Sequence, residues 1–154
     1  MKKLFSYLLL VVVLCLCSTL LVACKTNEAS DKSSNKISLT TENFDEYFAY
    51  NIVKDINIPD NIDYVSRGTI TLEYYPVKDI TTDNCTVTIQ LSFAGNSYYF
   101  VSNLDKEETA RISSNGEFKV SFDVFTKTHW PLQPKDSDLI ITIVATNGDL
   151  ILNL

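Results

Sequence analysis

One histidine serves all 154 residues. Any Ser-His-Asp triad, Cys-His pair or histidine-based metal site would therefore have to use His129. Four glycines leave little room for a loop that cradles phosphate on backbone amides, and no CxxC or nucleotide motif occurs. Positive charge is also short: 13 Lys and Arg stand against 19 Asp and Glu, for a net charge of −6. Nucleic-acid binding needs a basic face, and a polybasic membrane patch needs clustered lysines. Neither is visible, so no nucleic-acid partner is expected. Acidity of this size mainly favours solubility.

The chain does have a marked N-terminus. Met1-Lys2-Lys3 is basic, an apolar stretch runs from Leu8 to Ala23, and Leu21-Val22-Ala23-Cys24 closes it. The stretch has 16 residues and is interrupted by Ser18 and Thr19. A hydrocarbon-spanning helix needs about 20 apolar residues, which disfavours the alternative of an uncleaved transmembrane anchor. The layout is that of a removable signal. Leu21 to Cys24 resembles the lipobox of bacterial lipoproteins. That resemblance implies removal of residues 1–23 and a diacylglyceryl group (palmitate-type chains) on the Cys24 thiol, holding the protein on the extracytoplasmic face of the cell membrane. Cys15 and Cys17 follow Leu14 and Leu16, where cleavage requires a small residue. Each buried methylene contributes about 0.8 kcal/mol and stable anchoring needs two chains, which a diacylglyceryl group supplies.

Loss of residues 1–23 would remove Lys2 and Lys3 and no acid. The 13 basic residues fall to 11 against 19 acids, a net charge of −8. Apart from Cys24, only Cys85 then remains, so no disulfide staples the domain. Cys85 lies on the apolar side of an alternating segment and is expected as a buried, unreactive thiol.

Residues 24–36 read as the lipidated cysteine and a flexible tether, polar but for one alanine. Such a coil keeps a domain on the order of 20 Å from its anchor. Residues 37–154, the common size of one domain, hold the folded part. Thr41 to Phe48 reads as a short helix capped by Thr41, with Phe44, Tyr47 and Phe48 on one face. An extended segment follows from Asn51 to Ile58, ended by a turn at Pro59-Asp60-Asn61.

Beyond this the period is two. Gly68–Tyr74, Cys85–Phe93, Tyr98–Val101, Thr109–Ile112, Phe118–Phe125, Asp138–Thr146 and Leu150–Leu154 read as strands, with Ile70, Leu72 and Tyr74 inward. Asn115-Gly116 and Asn147-Gly148 read as turns, the second as a hairpin. Leu139–Val144 is apolar on both faces, which places it centrally or partly beneath the helix. About seven short strands without intervening helices predict an antiparallel β-sandwich of immunoglobulin or fibronectin III type. Ile37 to Phe48 is also similar to the opening of small surface lipoprotein domains of low-GC Gram-positive bacteria. That resemblance implies such a sandwich and transfers no site. The antibody pattern of Cys…Trp…Cys is absent.

The candidate binding residues are His129, Trp130 and Tyr75. His129 and Trp130 sit in a loop stiffened by Pro131 and Pro134. Trp130 either plugs the end of the sandwich or forms an exposed platform for a sugar or apolar partner. Tyr75 and one of Tyr98 and Tyr99 point outward, as a ligand-facing patch or as cross-strand support. Asp136-Ser137-Asp138 and Asp60-Asn61-Ile62-Asp63 bring oxygen ligands together as calcium requires, but Asp-rich turns also bond their own backbone. No cofactor is otherwise expected. Asp105-Lys106-Glu107-Glu108 reads as a solvated loop.

Three functions follow: a membrane-tethered module that binds a protein or cell-wall glycan, an accessory subunit of a membrane or wall complex, and a hydrolase. The last lacks a motif and a nameable nucleophile; the chain is read as a non-enzyme.

Overall fold

Strict alternation of apolar and polar residues organises the chain into two antiparallel sheets. The computed structural model describes residues 35–60, 65–95, 97–102, 106–128 and 132–153. The signal, Cys24 and the proposed tether up to residue 34 lie outside them. Asn35 to Leu154 forms a compact unit of its own.

The first sheet consists of β1 (Lys36–Ser38), β8 (Leu139–Leu152), β4 (Ile80–Phe93) and β6 (Glu107–Arg111), in that order across the sheet. The second consists of β2 (Phe48–Asn57), β3 (Arg67–Pro76), β7 (Phe118–Thr126) and β5 (Tyr99–Val101). The expected β-sandwich is therefore present, with four strands in each layer. The central pairs are β3–β7 in one layer and β4–β8 in the other. The edge beside β8 is taken by the N-terminal β1.

Period two puts Ile70, Leu72 and Tyr74 of β3 inside, as expected, together with Val120, Phe122 and Val124 of β7. Facing them from the other layer are Cys85, Val87, Ile89 and Leu91 of β4 and Leu150 of β8. One end of the core is aromatic. Tyr74 stacks on Phe118 with centroids 4.6 Å apart, and Phe44 stacks on Phe48 at 4.8 Å. Cys85 is fully buried and its thiol donates to the Asp149 carbonyl at 2.9 Å. Burial pushes its pKa up, and Asp149 and Asp83 add to this.

Several local expectations are corrected. The helix at 41–48 is a single 3-10 turn, Phe44–Glu46. Thr40 and Asn43 close the preceding turn on each other: the Thr40 amide donates to Asn43 Oδ1 and the Asn43 amide to Thr40 Oγ1. The chain is already extended at Phe48, because Phe48 pairs opposite Pro76 at the start of β2.

Asn147-Gly148 is no hairpin. β8 runs straight through it, and β4 absorbs the irregularity. Asn84 and Cys85 together oppose Gly148, between the pairs Asp83–Asp149 and Thr86–Asn147. Asn84 has φ 58° and Gly148 φ 106°, so this is a bulge whose left-handed position is filled by asparagine. Glu107 and Glu108 belong to β6 rather than to a loop; an edge strand accommodates such charge. β8 is central as expected, but Ile140 and Val144 on its outer face stay exposed, so nothing among the described residues covers that side.

Candidate binding face

The outer surface of the second sheet carries two hollows, one toward each end. Residues alternating with the core of β2, β3 and β7 line up across it. Asn51, Glu73 and Lys119 share one row, Val53, Thr71 and Ser121 the next, then Asp55, Thr69 and Asp123, and finally Asn57, Arg67 and Phe125. The middle is polar, with the Thr71 and Ser121 hydroxyls hydrogen-bonded at 2.8 Å. Each end has an aromatic residue.

At one end Tyr75 stands outward, 39% exposed, as the alternation predicts. It borders a groove of about 550 Å³ together with Glu73, Lys119, and Ser113, Asn115 and Glu117 of the β6–β7 turn. The Tyr75 hydroxyl approaches Glu73 Oε2 at 3.5 Å. On the core side of the same strands, Tyr74 stacks on Phe118, with Phe44 and Phe48 edge-on to the pair. An aromatic face, two carboxylates, an amide and an ammonium are thus gathered in one concavity. Such a mixture suits a polyhydroxylated or peptidic ligand.

At the other end, about 26 Å away along β3 at the usual rise of a strand, a second hollow of about 510 Å³ is lined by Arg67, Thr69, Ser102, Asp123 and Phe125. Arg67 and Asp123 make no ion pair among the described residues. Phe100 packs beside Phe125 with centroids 6.0 Å apart, and the Lys127 ammonium lies 4.5 Å above the Phe100 ring.

His129 and Trp130 lie outside the described residues. β7 ends at Thr126, at this second end, and the described chain resumes at Leu132. The Leu132 carbonyl accepts from the Tyr99 hydroxyl at 2.9 Å. Leu132 is 62% exposed and Tyr98 49%, and both line a smaller hollow of about 280 Å³. Of the three expected site residues only Tyr75 is among the described residues, at the end of the sheet away from Thr126, where β7 closes. The groove residues Ser113, Asn115 and Glu117 were not singled out from sequence. Their one signal is the Asn115-Gly116 turn, and only the pairing of β7 with β3 brings that turn beside Tyr75.

The acidic turn at 136–138 has structural partners. Asp136 is ion-paired with the Lys54 ammonium, which also donates to the Pro134 carbonyl at 2.7 Å. Asp138 Oδ2 accepts from the Lys135 amide at 3.0 Å. These contacts fasten the segment before β8 to the edge strand β2. Among the described residues no three His, Cys, Asp or Glu side chains gather as a metal site; Asn61, Ile62 and Asp63 lie outside them. Comparison of the protein with protein-family models, with curated proteins and with solved structures found no match in any of the three.

Proposed function

We propose that this protein is lipid-anchored and extracytoplasmic, and that it works by binding rather than catalysis. Its ligand, a cell-wall glycan or an extended segment of a protein partner, lies along the outer face of the second sheet. The lipobox-like Leu21–Cys24 supports the address. The observation that carries the binding role is the groove at Tyr75, where an exposed ring stands among carboxylate, amide and ammonium groups. The second hollow on the same face gives a long ligand another point of attachment. A second reading, an accessory subunit docked through the first sheet, is supported by Ile140, Val144 and Ile151, all exposed on β8.

In-cell cross-linking of the full lipidated protein, followed by identification of what is recovered with it, tests the role. Tyr75→Ala is expected to lower recovery of the ligand about tenfold, the loss of an aromatic anchor, while the far-ultraviolet spectrum stays unchanged. Undiminished recovery with Tyr75→Ala would reject this face, and loss with Ile140→Asp instead would favour the accessory reading. Cys24→Ala is expected to move the protein from the membrane fraction to the soluble one.

A further inference from the structure

Two Asn-Gly dipeptides occur in this protein, and the fold treats them in opposite ways. Both asparagines are exposed, so exposure does not distinguish them. Their backbones do. We propose that Asn115 is a site of spontaneous deamidation in the folded protein, and that Asn147 is protected from the same reaction.

In this reaction the Gly116 nitrogen loses its proton to base and attacks Cγ of the Asn115 carboxamide. The new bond between that nitrogen and Cγ closes a five-membered imide, and the bond from Cγ to Nδ2 breaks to release ammonia. Water then opens the imide at either carbonyl, leaving aspartate or isoaspartate. Only water is consumed.

Glycine on the C-terminal side is needed because a side group there would obstruct ring closure. The ring also needs a backbone free to turn. Residues 113–117 form a short turn: the Gly116 amide donates to the Ser113 carbonyl at 2.9 Å, and the Ser113 amide to the Glu117 carbonyl at 3.0 Å. Gly116 is buried against Pro76 and Ile80, so freeing its nitrogen asks for opening of this turn, but of no strand ladder. The turn also prepares the electrophile. Asn115 Oδ1 accepts from the Glu117 amide at 3.3 Å and from the Ser113 hydroxyl. These donors polarise the carbonyl and face the oxygen on which negative charge develops.

Asn147 has no such freedom. It sits within β8, paired with Thr86 of β4, and the next carbonyl, of Gly148, accepts the Leu39 amide at 3.3 Å. A Cβ at Gly148 would lie 2.8 Å from Cys85 Cα, which shows how closely β4 is pressed there. Closing an imide at 147–148 requires opening the centre of the first sheet.

Conversion at Asn115 has a local consequence. It adds a carboxylate to a groove that already holds Glu73 and Glu117, with Lys119 as the one cation among the described lining residues. The groove beside Tyr75 thus becomes more negative as the protein ages, whatever it binds.

The test is peptide mapping by mass spectrometry of the full-length protein, incubated at mildly alkaline pH, folded and in urea. In urea both sites are expected to convert at comparable rates. In the folded protein, conversion at Asn115 should exceed that at Asn147 by about tenfold or more, reflecting their different opening energies. Equal rates in the folded protein, or no conversion at Asn115 while the urea sample converts, would overturn the proposal. Asn115→Gln, which keeps the amide but disfavours the ring, should abolish the acidic form seen on ion exchange. Persistence of that form would place the reaction elsewhere and equally refute it.

Discussion

The Tyr74 hydroxyl is buried at the aromatic end of the core and has no hydrogen-bond partner among the described residues. Burial raises its pKa far above the ordinary phenol range, and the nearby Tyr50 and Asp45 push in the same direction. The ring packs well against Phe118, Phe44 and Tyr50, but a polar atom left without a partner works against the fold. Tyr74→Phe keeps the ring and removes that atom. It is expected to change stability by less than about 1 kcal/mol, in the stabilising direction, as measured by urea denaturation. The pH dependence follows from the raised value. The contribution of the neutral phenol is fully present below the unfolded-state pKa of about 10. It is lost as pH rises further, because the unfolded chain ionises there while the folded one resists. Wild type should therefore lose stability above that pH more steeply than Tyr74→Phe. Parallel alkaline curves for the two proteins would show that the phenol titrates alike in both states.

At the scale of elements, the readable strands were those whose alternation is complete. Ile70, Leu72 and Tyr74 of β3, and Phe118 through Val124 of β7, alternate without a break, and the structure buries them accordingly. Tyr75 was legible as an outward residue for the same reason. Asn147-Gly148 was misread because a hairpin turn and a bulge both call for a positive φ at glycine. Which one forms depends on β4, some sixty residues away, whose Asn84 and Cys85 fit against Gly148. β1 has three residues and no periodicity to detect; Thr109 to Ile112 reads as a strand, but Glu107 and Glu108, which begin β6, are too charged to show as part of it, and both additions exist because a neighbouring strand offers a ladder. A test of this account is Gly148→Ala. Its φ of 106° disfavours any side group, and the added Cβ would lie 2.8 Å from both Cys85 Cα and Sγ. Strain and overpacking together are expected to destabilise the domain by about 2–5 kcal/mol, read as a lower denaturation midpoint. A midpoint near that of wild type would mean that β8 bends at this position instead of being locked there.

For the whole molecule, the decisive feature is that the sandwich is closed along one side by its own N-terminal strand. Asn35 and Leu152 pair through the Leu152 amide and the Asn35 carbonyl at 2.9 Å, and Lys36 lies opposite Ile151 and is ion-paired with Asp149. Leu39 is buried, Ile37 packs against the core, and the Thr146 hydroxyl donates to the Leu39 carbonyl at 2.7 Å. The segment from Asn35, whose first two residues read as the end of the tether, is thus a structural part of the first sheet, and it covers the edge of β8, which otherwise offers unpaired amides and carbonyls beside exposed Ile140, Val144 and Ile151. A protein beginning at Asn35 retains this cover, whereas one beginning at Thr40 does not. The shorter form is expected to be less stable by about 3–5 kcal/mol, from the lost burial of Leu39 and Ile37 and the core left open beneath them. It should also self-associate, because a long apolar edge invites strand addition. Denaturation midpoints and sedimentation of the two forms check both effects. Equal midpoints would show that β1 merely rests on the sheet, and loss of stability without association would show that the β8 edge is protected by something other than β1.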